Sequence, residues 1–324
     1  MAPGRLEEAR MIALQYARFG EPAEVVAPTD IPVPAPREGE EVVLRMLRSP
    51  IHNHDLATIR GIYGVKPKLP AVGGTECVGR AGNKRFACLT RGTWAGEVIA
   101  PAASLVPVPD EIDDDRACQL LAMPLSTVVL FDELRTQRGM WIAQNAANGA
   151  VGKLLMMLAQ KAGVNIVNFV RRDDAASELE KYGAEHVVVT EHDGWEKKAL
   201  ELTEGAGFAR IVDSVAGTQT LELQKLLAQF GELIVFGALS GASIKLAPGL
   251  MIAKETVVRG FWMNAWMPRA SAERRADVMG RVFALAMAGE LPLPVAGVYP
   301  LANAGEALRA AETPGRPGKV LFSP

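Results

Sequence analysis

From Met140 to Gly163 the chain reads as a buried strand, a tight loop and an apolar helix, and this succession commits the region to a layered α/β fold. The strand is Met140-Trp-Ile-Ala-Gln144 and the loop is Asn145-Ala-Ala-Asn-Gly-Ala-Val-Gly152. The helix runs from Lys153 to Ala162, with Gly163 as its stop signal. Further strands fit Asn165–Val170, Val187–Val189, Arg210–Asp213 and Glu232–Gly237, with helical stretches separating them. Strands alternating with helices predict a parallel sheet with right-handed crossovers and helices on both faces.

The flanks have another texture. From Met11 to about Pro109, Pro, Gly and Asn break the chain into short apolar runs such as Glu41–Met46 and Glu97–Ala100, the pattern of a compact β-rich unit. A helix-like stretch, Arg116–Leu134, leads into the alternating region, and a helix over Ala272–Ala288 leads out. Strand texture then returns near Gly297–Tyr299 and Lys319–Phe322, around a helix over Ala304–Ala311. The expected fold class is therefore α/β, with a split β-rich domain (1–112 and 290–324) and a doubly wound nucleotide-binding domain (113–289) inserted into it. A chain of 324 residues suits two domains.

Charge and cysteine usage narrow the function. With 35 basic and 37 acidic residues, nothing points to nucleic acid or to an anionic membrane surface. Apolar stretches such as Leu233–Leu239 fall far short of the roughly 18 residues of a membrane span. Cys77, Cys88 and Cys118 are odd in number and lack CxxC spacing, which excludes a disulfide scaffold and a four-cysteine zinc ribbon. The segment Met1–Arg10 carries acids and no apolar core, so it reads as neither signal nor transit peptide. The expectation is a reduced, soluble, cytoplasmic protein.

The loop at the heart of the alternating region has the chemistry of a phosphate cradle. Gly149 and Gly152 match the second and third glycines of the dinucleotide fingerprint G-x-G-x-x-G, and Ala147 replaces the first. The second glycine lets backbone approach a pyrophosphate, and the third lets helix pack closely on strand. Backbone N–H groups at the helix start then face the phosphates. The bland alternative is a tight βα turn with no ligand. At the tip of the second strand stand Arg171-Arg172, with acids delayed to Asp173-Asp174. A guanidinium pairs with a 2′-phosphate where a carboxylate repels it, so the tip favours NADP over NAD. A solvated basic turn is the alternative, and Asp173 could instead bond a ribose hydroxyl.

With these features the sequence resembles the medium-chain dehydrogenase/reductases, specifically their zinc-independent enoyl thioester reductase branch, which is related to the quinone oxidoreductases. The resemblance spans Met11 to Phe322. It is carried by Arg60-Gly-Ile-Tyr-Gly64, Leu69–Glu76, Gln144–Gly152, Lys181–His186 and Val258-Arg-Gly-Phe-Trp262. It implies a GroES-like catalytic domain with an inserted Rossmann domain. The implied activity is NADPH-dependent reduction of trans-2-enoyl-acyl thioesters on CoA or acyl carrier protein, in fatty acid metabolism. The family's proton-donor tyrosine falls on Tyr63. Its cofactor residues fall on Asn148, Gly149, Ala150 and Val151; on Arg171, Arg172 and Asp173; on Phe236, Gly237, Ala238 and Leu239; on Phe261, Trp262 and Met263; and on Lys319. Two departures stand out. Met123 occupies a position where relatives carry Asn, and the segment Gly79–Cys88 is shorter than the usual hairpin, which would open that face or alter its stability.

Zinc relatives of the same superfamily carry Cys, His and Glu around a catalytic metal. Here Gly74-Thr75-Glu76 replaces Gly-His-Glu, and Pro50–Asp55 contains no cysteine, so the usual three-ligand site cannot form. An H-x-H pair, His52 and His54, could bind metal, but polar loop histidines are commoner; Asn53 and Asp55 are expected to hold the loop through backbone hydrogen bonds. Tyr63 could be only a half-buried aromatic, and Phe261 and Trp262 either core anchors or an acyl-channel lining. Ser240-Gly241 has the wrong spacing for a nucleophile elbow, so acyl hydrolysis is not supported. Two alternatives to enoyl reduction stay open: an NADPH:quinone or enone oxidoreductase, and a cofactor-binding protein with little turnover. A homodimer is expected through the Rossmann domains, because Glu232–Gly237 and the apolar strip after it would leave a bare sheet edge.

Overall fold

The computed structural model describes residues 9–324. Most of the acidic segment read above as neither signal nor transit peptide lies outside the described residues. The chain forms two compact units: one runs through Ala122 and resumes at Leu285–Pro324, and the other is Met123–Ala284. The expected boundaries were 112 and 289.

In the second unit six parallel strands form one sheet: β1 (Trp141–Gln144), β2 (Asn165–Val170), β3 (His186–Val189), β4 (Phe208–Asp213), β5 (Leu227–Val235) and β6 (Val257–Gly260). Their spatial order is β3-β2-β1-β4-β5-β6, the doubly wound Rossmann arrangement, whose strand order reverses at β1 and β4. Side chains alternate between two cores. Ile142, Ile166, Val212 and Ile234 join one, while their neighbours Ala143, Val167, Ile211 and Leu233 join the other. Burial on both faces explains why these strands read as continuous apolar runs. The first crossover helix spans Ala150–Lys161 and the second Asp173–Lys181.

Two expectations change here. The sequence predicts five strands with Glu232–Gly237 as an exposed edge. Yet β5 pairs with β6 through Glu232 to Val235, so the edge strand is β6. The single helix expected over Arg116–Leu134 is two, Asp114–Ala117 and Met123–Glu133, interrupted at Cys118–Ala122.

The first unit is β-rich and GroES-like. Its long strand Glu41–Pro50 pairs with Glu76–Ala81, with Glu97–Pro101 and, through Ser49 and Pro50, with the carboxyl-terminal strand Lys319–Ser323. The tail therefore completes this unit by hydrogen bonding. Its core centres on Trp94, whose ring meets Phe322 edge-on at 5.1 Å. The shortened segment forms a regular hairpin: Glu76–Ala81 and Lys84–Leu89 pair in full register from Glu76↔Leu89 to Ala81↔Lys84. Gly82 begins the two-residue turn at φ 55°, a conformation that costs glycine little.

Candidate functional site

The loops at the carboxyl ends of the parallel strands gather most of the expected cofactor residues. In the Rossmann arrangement this edge, near the order reversal, is where dinucleotides bind. Asn148, Gly149, Ala150 and Val151 follow β1; the Gly149 N–H donates to the Ala146 carbonyl at 3.0 Å, and Ala150 and Val151 open the Ala150–Lys161 helix, whose first-turn N–H groups have no partner within the helix. A Cβ on Gly152 would lie 2.3 Å from the Ala147 carbonyl oxygen, so only glycine allows the loop to fold against its helix. Beneath the loop, the Gln144 amide donates to the Gly152 carbonyl and to Asn168 Oδ1, each at 2.8 Å.

A second clamp fixes the ends of β1 and β4. Buried Asp213 accepts from Asn145 Nδ2 (2.7 Å), from Thr220 Oγ1 (2.6 Å) and from the N–H groups of Val215 and Ala216. Asn145 Oδ1 in turn accepts from Ser214 N at 2.6 Å. Sequence reading missed this network, although a buried Asp at a strand end was its visible signal. Phe236, Gly237, Ala238 and Leu239 follow β5, and Phe261, Trp262 and Met263 follow β6. The Phe236 and Phe261 rings stack at 5.9 Å, joining these two loops. Trp262 is 44% exposed, which rules out a core-anchor role for it.

Arg171, Arg172 and Asp173 follow β2, as expected, but they are already engaged in part. Arg172 forms a two-point pair with Asp174, Nε to Oδ1 at 3.0 Å and Nη2 to Oδ2 at 3.2 Å. Asp173 Oδ2 lies 3.2 Å from His192 Nε2. These pairs are exposed, and exposed ion pairs contribute little, so an incoming phosphate can displace them. Arg171 makes no ion pair among the described residues and is exposed. The edge therefore fits a dinucleotide with an anionic group at its adenosine end.

Tyr63 and Lys319 belong to the first unit. Tyr63 is half-buried on the loop after the helix Asn53–Arg60, and the N–H groups of Ile62 and Tyr63 both donate to the Ala57 carbonyl. His52 and His54 are not loop histidines. His52 caps that helix, its N–H donating to Asp55 Oδ2 at 2.9 Å, and His54 lies in the first turn. Asp55 thus holds the local backbone as expected, whereas Asn53 is exposed. Lys319 starts the last strand, where burial, reinforced by Arg316 and opposed by Asp55 and Glu76, pulls its ammonium down to about 8.

The residues at the positions of the lost zinc ligands have other partners. His52 Nε2 is 2.7 Å from Glu76 Oε2, both side chains fully buried, and Glu76 Oε1 accepts from the N–H groups of Leu121 and Ala122. Burial pushes Glu76 up to about 8 and His52 well down, so burial favours the uncharged form of each. A zinc site of the family's Cys-containing kind needs a thiolate. The hydrogen bond between Cys77 and Cys88 together with burial raises the Cys77 thiol, and burial raises Cys118. This donor set does not make the family's Cys-containing site. Among the described residues no group of three or more His, Cys, Asp or Glu is placed to hold one, and no helix is long and apolar enough to cross a membrane.

Comparison with known proteins follows the same division. The family profile described as zinc-binding dehydrogenase matches residues 150–279, which exclude His52, Thr75 and Glu76. The mitochondrial enoyl-[acyl-carrier-protein] reductase of Homo sapiens is 31% identical over 95% of this chain and 87% of its own length. A crystal structure of a putative NADPH:quinone reductase from Bacillus thuringiensis superposes with a TM-score of 0.90 at 27% identity, covering 98% of this chain and 99% of that one. The quinone oxidoreductase of Thermus thermophilus, solved also in complex with NADPH, gives 0.82 at 25% identity, covering 97% of this chain and 100% of that one.

Proposed function

This chain belongs to the medium-chain dehydrogenase/reductase superfamily and is an oxidoreductase, and on that premise we propose that it reduces the carbon–carbon double bond of trans-2-enoyl-acyl thioesters with NADPH, in fatty acid metabolism. The observation that carries this reading is the Arg60-Gly-Ile-Tyr-Gly64 loop, in a chain 31% identical to an enoyl reductase over 95% of its length. Bound NADPH supplies the hydride that the β-carbon of the substrate accepts. The loop Asn148 to Val151 would hold its pyrophosphate at the start of the helix, through the N–H groups of Ala150 and Val151, and Arg171 and Arg172 would take the 2′-phosphate once Arg172 releases Asp174. The stacked Phe236 and Phe261 rings, with the exposed Leu239 and Trp262 on the same two loops, would offer apolar surface to the nicotinamide end. As charge develops on the thioester oxygen, Tyr63 donates the proton that completes the reduction.

A second reading, reduction of a quinone or enone with the same cofactor, is favoured by the Bacillus thuringiensis likeness. NADPH oxidation followed with crotonyl-CoA, with a benzoquinone and with neither separates the readings. Turnover with crotonyl-CoA alone supports the first and with benzoquinone alone the second. Cofactor binding without either turnover would leave the binding-protein alternative. The proposed setting is cytoplasmic, although the human relative's name places that protein in mitochondria. The proposed assembly is a homodimer through the β6 edge, where Val257 is 52% exposed.

A further inference from the structure

We infer that His54 is a positioning residue for Tyr63, its imidazole locked by the Thr75 hydroxyl so that the phenol lies against a fixed ring. The inference rests on the reading in which Tyr63 is the acid. Its basis is a count of protons. Thr75 Oγ1 lies 2.7 Å from Asp55 Oδ1 and 2.7 Å from His54 Nε2. A hydroxyl has one proton and spends it on the carboxylate, which accepts only. The remaining lone pair of Thr75 must therefore receive a proton from His54, so Nε2 carries the hydrogen and Nδ1 is bare. Burial, opposed by Asp55 and reinforced by Lys319, lowers the basicity of His54, in keeping with a neutral ring.

The lock is tied to the helix that carries it. Asp55 Oδ2 accepts the His52 N–H, which joins Thr75 to the first turn of Asn53–Arg60. The His52 ring stacks on His54 at 4.9 Å and 19°, and the Tyr63 ring rests on His54 at 5.9 Å and 31°. Tyr63 is thus held twice by one helix, through its backbone on Ala57 and through its ring on His54. A plain aromatic cluster would need no hydroxyl at position 75; an oriented one does.

The test uses His54→Ala, Thr75→Val and Thr75→Ser, each made in the wild type and in Tyr63→Phe. Displacing an acid from its productive geometry costs on the order of 10- to 100-fold in rate. His54→Ala and Thr75→Val should therefore lower kcat by about that factor with NADPH affinity unchanged. Thr75→Ser, which keeps the hydroxyl, should behave as wild type. In the Tyr63→Phe background none of them should lower kcat further. Equal losses in both backgrounds, or a wild-type Thr75→Val enzyme, would overturn the inference. Should the wild type reduce no acceptor, the reductase reading falls by itself. The ¹³Cζ resonance of Tyr63 in tyrosine-labelled protein still decides positioning: a shift in His54→Ala and Thr75→Val, but not in Thr75→Ser, supports it, and an unmoved resonance refutes it.

Discussion

Glu76 and His52, 24 positions apart in sequence, form a fully buried hydrogen-bonded pair at 2.7 Å. Burial raises the carboxyl to about 8 and lowers the imidazole. A group whose folded pKa is raised contributes stability that is fully present below its unfolded value and is lost as pH rises through the folded one. For Glu76 that window runs from the ordinary 4.5 up to about 8. His52 acts oppositely, and its contribution is lost as pH falls below 6.5. Glu76→Gln keeps a neutral donor for His52 but removes the first slope. Its melting temperature relative to wild type should rise steadily from pH 5 to pH 8, each unit of displacement corresponding to about 1.4 kcal/mol. Parallel melting curves across that range would refute the neutral carboxyl.

Tyr63→Phe removes the proposed proton donor and keeps the ring that packs on His54. General acid catalysis is typically worth ~10²–10⁴-fold, so kcat should fall within that range while NADPH affinity holds. Wild-type turnover in steady-state assays would take Tyr63 out of the mechanism.

Replacing Arg171 and Arg172 together with Ala should weaken NADPH about tenfold to hundredfold, the loss of at least one charge-assisted bond, and leave NADH almost untouched. Asp174→Ala should act in the opposite direction, since it frees Arg172 from its present partner. Fluorescence titration of both cofactors into all three proteins reads this directly. If the double mutant loses NADH equally, the arginines serve structure or the shared pyrophosphate.

Gly152→Ala places a methyl 2.3 Å from the Ala147 carbonyl, and backbone cannot yield there cheaply. The loop must move, so binding of NADPH and NADH should be lost together. Calorimetry that finds wild-type affinity for either cofactor would show that the loop does not form the cradle.

For the homodimer, Val257→Lys puts a charge on the exposed side of β6, a common way for proteins to block edge pairing. Sedimentation at micromolar concentration should show a dimer for wild type and a monomer for the variant. A monomeric wild type would end the proposal.

Local chemistry made much of this fold readable in advance. The strand–loop–helix around Gly149 and Gly152, the alternation of strands and helices, and the return of β texture near the carboxyl end each depend on neighbouring residues. Periodicity and turn preference encode them directly. The loops after β1 and β2 were legible for the same reason, since each follows a strand, whereas those after β5 and β6 were implied only by the resemblance. Even the short hairpin was visible as a deletion, but its closure depended on the cross-strand register that Gly82 permits.

Residues distant in sequence were decided only by the tertiary structure. Pairing of β5 with β6 moved the sheet edge, because a four-residue strand 22 positions downstream offers no strong signal of its own. His52 and His54 read alike as polar residues, yet one meets Glu76 and the other Thr75, according to how the helix Asn53–Arg60 lies beside the strand Glu76–Ala81. The motif lacks the cysteine and histidine of the usual zinc site. What stands in its place, a neutral buried pair beside an oriented imidazole, follows from burial and geometry, which arise only when separated segments exclude water from one another.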